Sequence, residues 1–274
     1  MNNKKIAFIG GGNMAQSLIS GLIKANYPKD LIYVSTPHAE KVAALKEKYG
    51  INTSTSNIEI MKSADVIVLA VKPQMFKDAV AEVNQTNSDF SNKLIISVMA
   101  GITVNRIQEL MGHAKEVIRV MPNTPCLIGY GMSGLFASNE TTSSNIEFAD
   151  SLLKSCGKTS WVKTENAIND ITALSGSAPA YFFLFMECLV NKALELGFSE
   201  PEARAIVEQV AIGSSQMVIN NQNKTISELR AAVTSKGGTT YEALQVFNNS
   251  NLNDIVSKAL DACKARAEEM SKQF

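Results

Sequence analysis

The chain of 274 residues has no excess of charge of either sign, since 26 Lys and Arg face 26 Asp and Glu. A net charge of zero supplies no overall field that would draw it onto nucleic acid or an anionic membrane. Histidine is scarce, with only His38 and His113. The four cysteines, Cys126, Cys156, Cys188 and Cys263, form no C-x-x-C pair and have no histidine beside them. That spacing fits no common zinc framework, so no metal site is expected, and reduced, mostly buried thiols in a cytosolic protein are expected instead. Long apolar runs are lacking too. The leading MNNKKIAFIGGGN has four apolar residues before its glycines, too few for a signal-peptide core. The most apolar stretch, Ala178 to Met186, ends at Glu187, whereas a bilayer span needs about 20 residues. A buried helix is expected there, in a cytoplasmic protein without membrane contact. What is plentiful is apolar side chain, at 45% of the chain. That is enough for a sizeable core, and the length fits just under two domains of roughly 150 residues.

The first 160 or so residues alternate strand-length Ile- and Val-rich runs (Ile6–Ile9, Leu31–Val34, Val66–Val71, Leu94–Val98, Val117–Val120) with helical patterns. The helical patterns are Asn13–Ala25, Ala39–Tyr49, Met75–Val83 and Val104–Met111. Near-continuous hydrophobicity in the strands is what a parallel sheet covered on both faces requires. The alternation predicts a Rossmann-like α/β dinucleotide-binding domain over residues 1–163. Gly131–Ala137 and Thr159–Val162 add two strands around a helix at Ser143–Lys154. From residue 164 to 274 the grammar is all-helical. Ser199 with Glu202 and Thr225 with Glu228 form capping boxes, and a last helix is expected over Asn253–Ser271. Two of these helices are more apolar than a small monomeric bundle requires: Ala180–Leu196, and the one in which Ile206, Val210, Gly213 and Met217 recur on one face. A central core helix would explain this. A subunit interface is favoured, because about 110 residues cannot easily cover both helices, which points to a homodimer or larger.

Gly10-Gly11-Gly12-Asn13-Met14-Ala15 reads as G-x-G-x-x-A between the first strand and the first helix. Glycine allows the sharp turn and the close approach of backbone amides to a pyrophosphate, and the helix N-terminus faces its charge. The second strand ends in Val34-Ser35-Thr36-Pro37-His38, without the Asp or Glu that commonly meets the ribose of NAD. No carboxylate repels a 2′-phosphate there, and the Ser35 and Thr36 hydroxyls can bind one. NADPH is therefore preferred, with NADH possible, although no arginine clamp is present. His38 and Lys41 read as solvated surface residues. Ala70-Val71-Lys72-Pro73 lies at the carboxyl end of a strand, where ligands bind such sheets. Lys72 could serve as cofactor contact, base or solvated lysine, and the first is favoured.

IGGGNMA, LAVKPQ, Arg119-Val120-Met121-Pro122-Asn123-Thr124-Pro125, the run Leu174–Tyr181 and Val233-Thr234-Ser235-Lys236-Gly237-Gly238-Thr239-Thr240 occur in that order. Together they resemble the pyrroline-5-carboxylate reductases. The resemblance implies NAD(P)H-dependent reduction of the cyclic imine 1-pyrroline-5-carboxylate to L-proline, the last step of proline synthesis. It also implies a Rossmann-like domain followed by a helical dimerisation domain, with dimers often gathered into rings. Expected cofactor contacts are Gly10, Gly11, Gly12, Asn13, Met14, Ser35, Thr36, Asn57, Ala70, Val71, Lys72, Pro73, Ala100, Pro122 and Asn123. Expected substrate contacts are Ser235, Gly237, Gly238, Thr239 and Thr240, and Thr240 matches the family threonine that faces the ring nitrogen. The residues agree: Gly237-Gly238 precede a helical pattern, whose free amides suit a carboxylate. Lys236 and Ala178 depart from the family, which frequently has proline and glycine there. No general acid is evident, so the substrate is expected to bind as an iminium or to take its proton from water. A β-hydroxyacid dehydrogenase, with Lys192 as base, is the alternative enzyme, and a cofactor-binding sensor without turnover is the alternative of another class.

Overall fold

In the computed structural model, which describes residues 3–86, 88–112 and 114–273, strand β1 (Ile6–Ile9) shows how the core is built. Successive side chains of a strand point to opposite faces. Ile6 and Phe8 enter one apolar cluster, Ala7 and Ile9 the other, and all four are fully buried. Strand β2 (Ile32–Ser35) follows helix α1 (Asn13–Lys24), and strand β3 (Asn52–Ser54) follows α2 (Ala39–Tyr49). Next come α3 (Asn57–Ser63), β4 (Val66–Leu69), α4 (Phe76–Ala79), α5 (Ala81–Gln85), β5 (Leu94–Ser97), α6 (Val104–Leu110) and β6 (Glu116–Met121). Strand β7 (Gly131–Ala137), helix α7 (Ser143–Lys154) and strand β8 (Gly157–Trp161) complete an eight-stranded sheet of order β3-β2-β1-β4-β5-β6-β7-β8. All pairings are parallel except β6–β7. Leu18, Ile19 and Leu22 of α1 and Phe148, Leu152 and Leu153 of α7 cover one face; Ile60 and Met61 of α3, Phe76 of α4 and Ile107 of α6 cover the other. Each fully buried side chain of this size contributes about 1.5–3 kcal/mol.

The Rossmann-like class expected from the alternation is what this sheet shows. Strand β3 and helix α3 were not expected: Asn52-Thr53-Ser54 is polar, three residues long and at the sheet edge, so no apolar period marks it. The single helix expected over Met75–Val83 is interrupted, because Val80 (φ −112°, ψ 8°) leaves the helical region between α4 and α5.

Beyond β8 lie α8 (Ala167–Ile171), a π-helical turn at Thr172–Gly176, α9 (Ala178–Glu195), α10 (Glu200–Ile219), α11 (Ile226–Ala232), α12 (Thr239–Asn249) and α13 (Leu252–Gln273). The chain divides into two compact units, one reaching to Ser177 and resuming at Ala262, the other being Ala178–Asp261. That division by compactness falls later than the change of grammar near Lys163.

The second unit is helical throughout. Both expected capping boxes are formed, Ser199 with Glu202 and Thr225 with Glu228. Phe185 of α9 meets Phe247 of α12 at a ring separation of 6.2 Å. Helix α9 is nevertheless not the buried helix expected from its run of aromatics. Phe182 is 65% exposed and Phe183 62%, and the helix has no buried residue. The helical stretch Ala167–Glu195, 29 residues with an 18-residue segment of mean hydropathy 1.4, is also long and apolar enough to cross a membrane. The nine-residue apolar run understated it, because helix continues on both sides of the run.

Candidate active site

The first site is built where β1 and β4 leave the sheet side by side. Gly10 has φ +100°, a left-handed conformation that side chains rarely adopt. A Cβ there would also stand 2.7 Å from the Ala70 carbonyl oxygen and 3.0 Å from Val71 Cγ1. The Gly10 amide donates to the Ser35 carbonyl (2.9 Å) and the Ala70 amide to the Ile9 carbonyl (2.9 Å), so the ends of β1, β2 and β4 are stitched together. At Gly11 a Cβ would run into Leu45 Cδ1 at 2.6 Å, whereas at Gly12 it would meet nothing within 4 Å. Gly12 caps α1 with no side chain bonded to it, and the first turn of α1 carries no acid. Among the described residues the Gly12 and Asn13 amides are not spent on backbone partners outside the helix, and Asn13 and Met14 open that helix. Open space in front of an uncapped helix N-terminus is a fitting cradle for a pyrophosphate.

Around it stand the other expected cofactor residues. Ser35 is fully buried and donates its hydroxyl to Asn57 Oδ1 (2.6 Å), while Asn57 Nδ2 donates to the Ala79 carbonyl (2.9 Å). Ser35 thus orients Asn57, and Thr36 is the following residue. Lys72 is extended (φ −66°, ψ 142°) ahead of Pro73, exposed, and in no ion pair among the described residues. Ala100, Met121, Arg119 and Asn169 line a cavity of about 30 Å³, room for one water. Pro122 and Asn123 are buried. Asn123 is bracketed: its Nδ2 donates to the Ser175 carbonyl (3.1 Å) and its Oδ1 accepts from the Met132 amide (2.9 Å). These residues therefore collect at the carboxyl ends of β1, β2, β4, β5 and β6 and at the start of α3.

Two further polar side chains were not among the expected contacts, although Arg119 opens one of the matched runs. Arg119, 4% exposed, pairs with Glu165 at 2.6 Å, and the same carboxylate oxygen accepts the Val104 amide (2.8 Å) at the head of α6. An arginine inside an apolar strand was the available signal, because buried cations need partners. Gln16, one turn into α1, bonds the Gly11 carbonyl (3.1 Å) and had no sequence signal. Burial pushes the Cys126 and Cys156 thiols up, as befits inert core cysteines.

In the second unit, Ser235, Lys236, Gly237 and Gly238 lie in the connection from α11 to α12, which Thr239 and Thr240 open. Gly237 takes φ +71°, and the Gly238 amide donates to the Ser235 carbonyl (3.0 Å), closing a turn at the start of α12. A Cβ on Gly238 would stand 2.5 Å from Ser235 Oγ. Gly238 caps α12 with no side chain bonded to it, and Thr239 and Thr240 are exposed in its first turn. Lys192 is paired with Glu195 at 2.7 Å on exposed α9, so a free lysine base is not what stands there. His38 is exposed, 3.9 Å from Glu40, and His113 lies outside the described residues.

Two family models match the chain: pyrroline-5-carboxylate reductase dimerisation over residues 165–270, and NADP oxidoreductase, coenzyme F420-dependent, over residues 5–101. A pyrroline-5-carboxylate reductase of Vibrio alginolyticus is 47% identical over 274 residues, and one of Pasteurella multocida is 48% identical over 280, each match covering all of both chains. Among solved structures, a pyrroline-5-carboxylate reductase from Coxiella burnetii superposes with a TM-score of 0.91 at 38% identity, covering 98% of this chain and 99% of that one. The Plasmodium falciparum pyrroline carboxylate reductase with NADP bound gives 0.86 at 28% identity and covers 99% of both. On these matches, which run the length of the chain, it belongs to the pyrroline-5-carboxylate reductase family.

Proposed function

We propose a division of labour for this family's reaction, the reduction of 1-pyrroline-5-carboxylate to L-proline by a nicotinamide dinucleotide. Residues 1–163 bind the cofactor, and residues 164–274 dimerise and bind the substrate. The observation that carries this reading is the glycine cradle at Gly10–Gly12, open only at Gly12. When bound there, the reduced cofactor supplies hydride to the imine carbon. Amides of Gly12, Asn13 and Met14 hold its pyrophosphate. Thr36, with Asn57 oriented by Ser35, receives the 2′-phosphate, so NADPH is used in preference to NADH. Ala70, Val71, Lys72, Pro73, Ala100, Pro122 and Asn123 bound the nicotinamide side.

For the substrate, Ser235, Gly237, Gly238 and Thr239 receive the carboxylate at the head of α12. The Thr240 hydroxyl orients the ring nitrogen and accepts or donates a hydrogen bond as the amine forms. No acid stands in this loop, so the iminium proton comes with the substrate or from water. The chain's contribution is positioning. The dimerisation segment and the uncovered face of α9 support a homodimer. The rest of the proposed setting, a ring of dimers in the cytoplasm without membrane or nucleic-acid contact, follows from the family resemblance and the balanced charge.

The test is oxidation of NADPH by 1-pyrroline-5-carboxylate, run in parallel with NADH and with β-hydroxyacids. Turnover of the imine, faster with NADPH, is expected; turnover of hydroxyacids alone would overturn the reading. Thr240→Ala should lower kcat/KM by one to a few orders of magnitude, about 2–4 kcal/mol of transition-state stabilisation. An unchanged value would remove Thr240 from the mechanism.

A further inference from the structure

The glycine cradle has a brace. Gln16 Nε2 donates to the Gly11 carbonyl at 3.1 Å, and Gln16 Oε1 accepts from Lys48 Nζ at 3.1 Å and from the Tyr49 hydroxyl at 3.2 Å. The orientation of the Gln16 amide follows from chemistry: an ammonium only donates, so the oxygen must face Lys48 and the NH2 must face Gly11. Lys48 and Tyr49 close α2, so the brace ties the end of that helix to the turn that opens α1.

What it holds is one peptide plane. No described peptide bond is cis, and in a trans peptide the carbonyl and the following N–H point in opposite directions. Fixing the Gly11 carbonyl toward Gln16 therefore fixes the Gly12 N–H away from it. Between two glycines that plane has unusual freedom to rotate, and at Gly12 a side chain would meet no neighbour that could restrain it. A donor aimed at an anion before the anion arrives loses less conformational freedom on binding.

We propose that Gln16, supported by Lys48 and Tyr49, is a positioning residue for the cofactor, holding the Gly11–Gly12 peptide with its N–H presented to the pyrophosphate. This rests on the cradle being the dinucleotide site, and the experiment separates the two claims. NADPH binding is titrated by fluorescence, with steady-state kinetics and melting temperature, for Gly12→Val, Gln16→Met and Gln16→Glu. Gly12→Val places a branched side chain where the pyrophosphate would lie, and loss of NADPH binding is expected. If it binds NADPH normally, the site reading itself fails. Gln16→Met keeps the length and removes both ends of the brace. The expected result is an NADPH Kd raised about tenfold, with kcat at saturation, KM for the imine and melting temperature unchanged. Gln16→Glu can still accept from Lys48 and Tyr49 but cannot donate to Gly11, so it should weaken NADPH as much as Gln16→Met does. The brace is overturned if Gly12→Val loses the cofactor while both Gln16 variants keep wild-type Kd. It is also overturned if Gln16→Met lowers kcat and melting temperature together with affinity, the pattern of a merely structural residue.

Discussion

Phe8 and Phe183 sit in equally apolar runs, one in a strand of the first unit and one in a helix of the second. Phe8 is fully buried and Phe183 is 62% exposed. In the first unit β1, β4 and β5 are buried along their whole length, with helices of the same chain on both faces. In the second, α9, α11 and α12 bury no residue, and α10 buries only Ala203 and Val207. The difference teaches that hydrophobic periodicity reports the need for cover without saying which copy of the chain provides it. The largest expected effect tests this directly. Phe183→Asp combined with Val210→Asp puts charges on the uncovered face, and burying an unpaired charge costs at least about 3–5 kcal/mol. Sedimentation should show loss of the oligomer and the assay a loss of activity of about two to three orders of magnitude. A double variant that stays oligomeric and active would show that this face is not where copies meet.

The ion pairs sharpen the same contrast. Arg119–Glu165 lies inside the first unit, its two side chains 5% and 28% exposed, whereas Lys192–Glu195 is open to solvent at 65% and 66%. Arg119→Leu strips a partly buried carboxylate of its partner, and about 3–5 kcal/mol of stability should be lost by urea denaturation. Lys192→Leu should change stability by no more than about 0.5 kcal/mol. Equal effects would erase the distinction between the two environments. Between these extremes falls Thr225→Ala. It removes the hydroxyl that accepts the Glu228 amide at 3.2 Å at the start of α11 and should cost about 1 kcal/mol.

How much of this was legible in the sequence follows from the range of each interaction. Ile6–Ile9, the glycine turn and both capping boxes are local patterns, and the structure forms them where the residues stand. Asn52–Ser54 is a strand only because β2 is beside it, and no property of the three residues announces that. Ser35 with Asn57 and Arg119 with Glu165 are joined across 22 and 46 residues, separations that only the folded sheet closes. Gln16 is illegible for a further reason: its role depends on which way a peptide between two glycines faces. In α9 the need for cover was legible, and counting residues already pointed to a second copy as its source; which side chains stay exposed within one chain was not.

The smallest expected effect compares one carboxylate from each unit. Burial pushes the Glu116 carboxyl up, but bonds from the Thr142 amide (2.8 Å), Asn145 Nδ2 (2.7 Å) and the Thr142 hydroxyl (2.9 Å) outweigh it and hold the group below the ordinary glutamate value of 4.5. Glu228 is also held low, by the Thr225 amide (2.7 Å) and hydroxyl (2.9 Å), on a fully exposed helix start. A depressed carboxylate means that the unfolded chain binds more protons than the folded one between the two values. Its contribution is therefore complete above 4.5 and is lost as pH falls through the folded value. The stability gap between wild type and Glu116→Gln should be widest at neutral pH and should close on acidification below 4.5. The corresponding gap for Glu228→Gln should follow the same course but shrink with added salt, because solvent and ions reach it from every side. A Glu116→Gln gap that stays constant from pH 7 to acid would mean that the carboxylate acts through shape rather than charge.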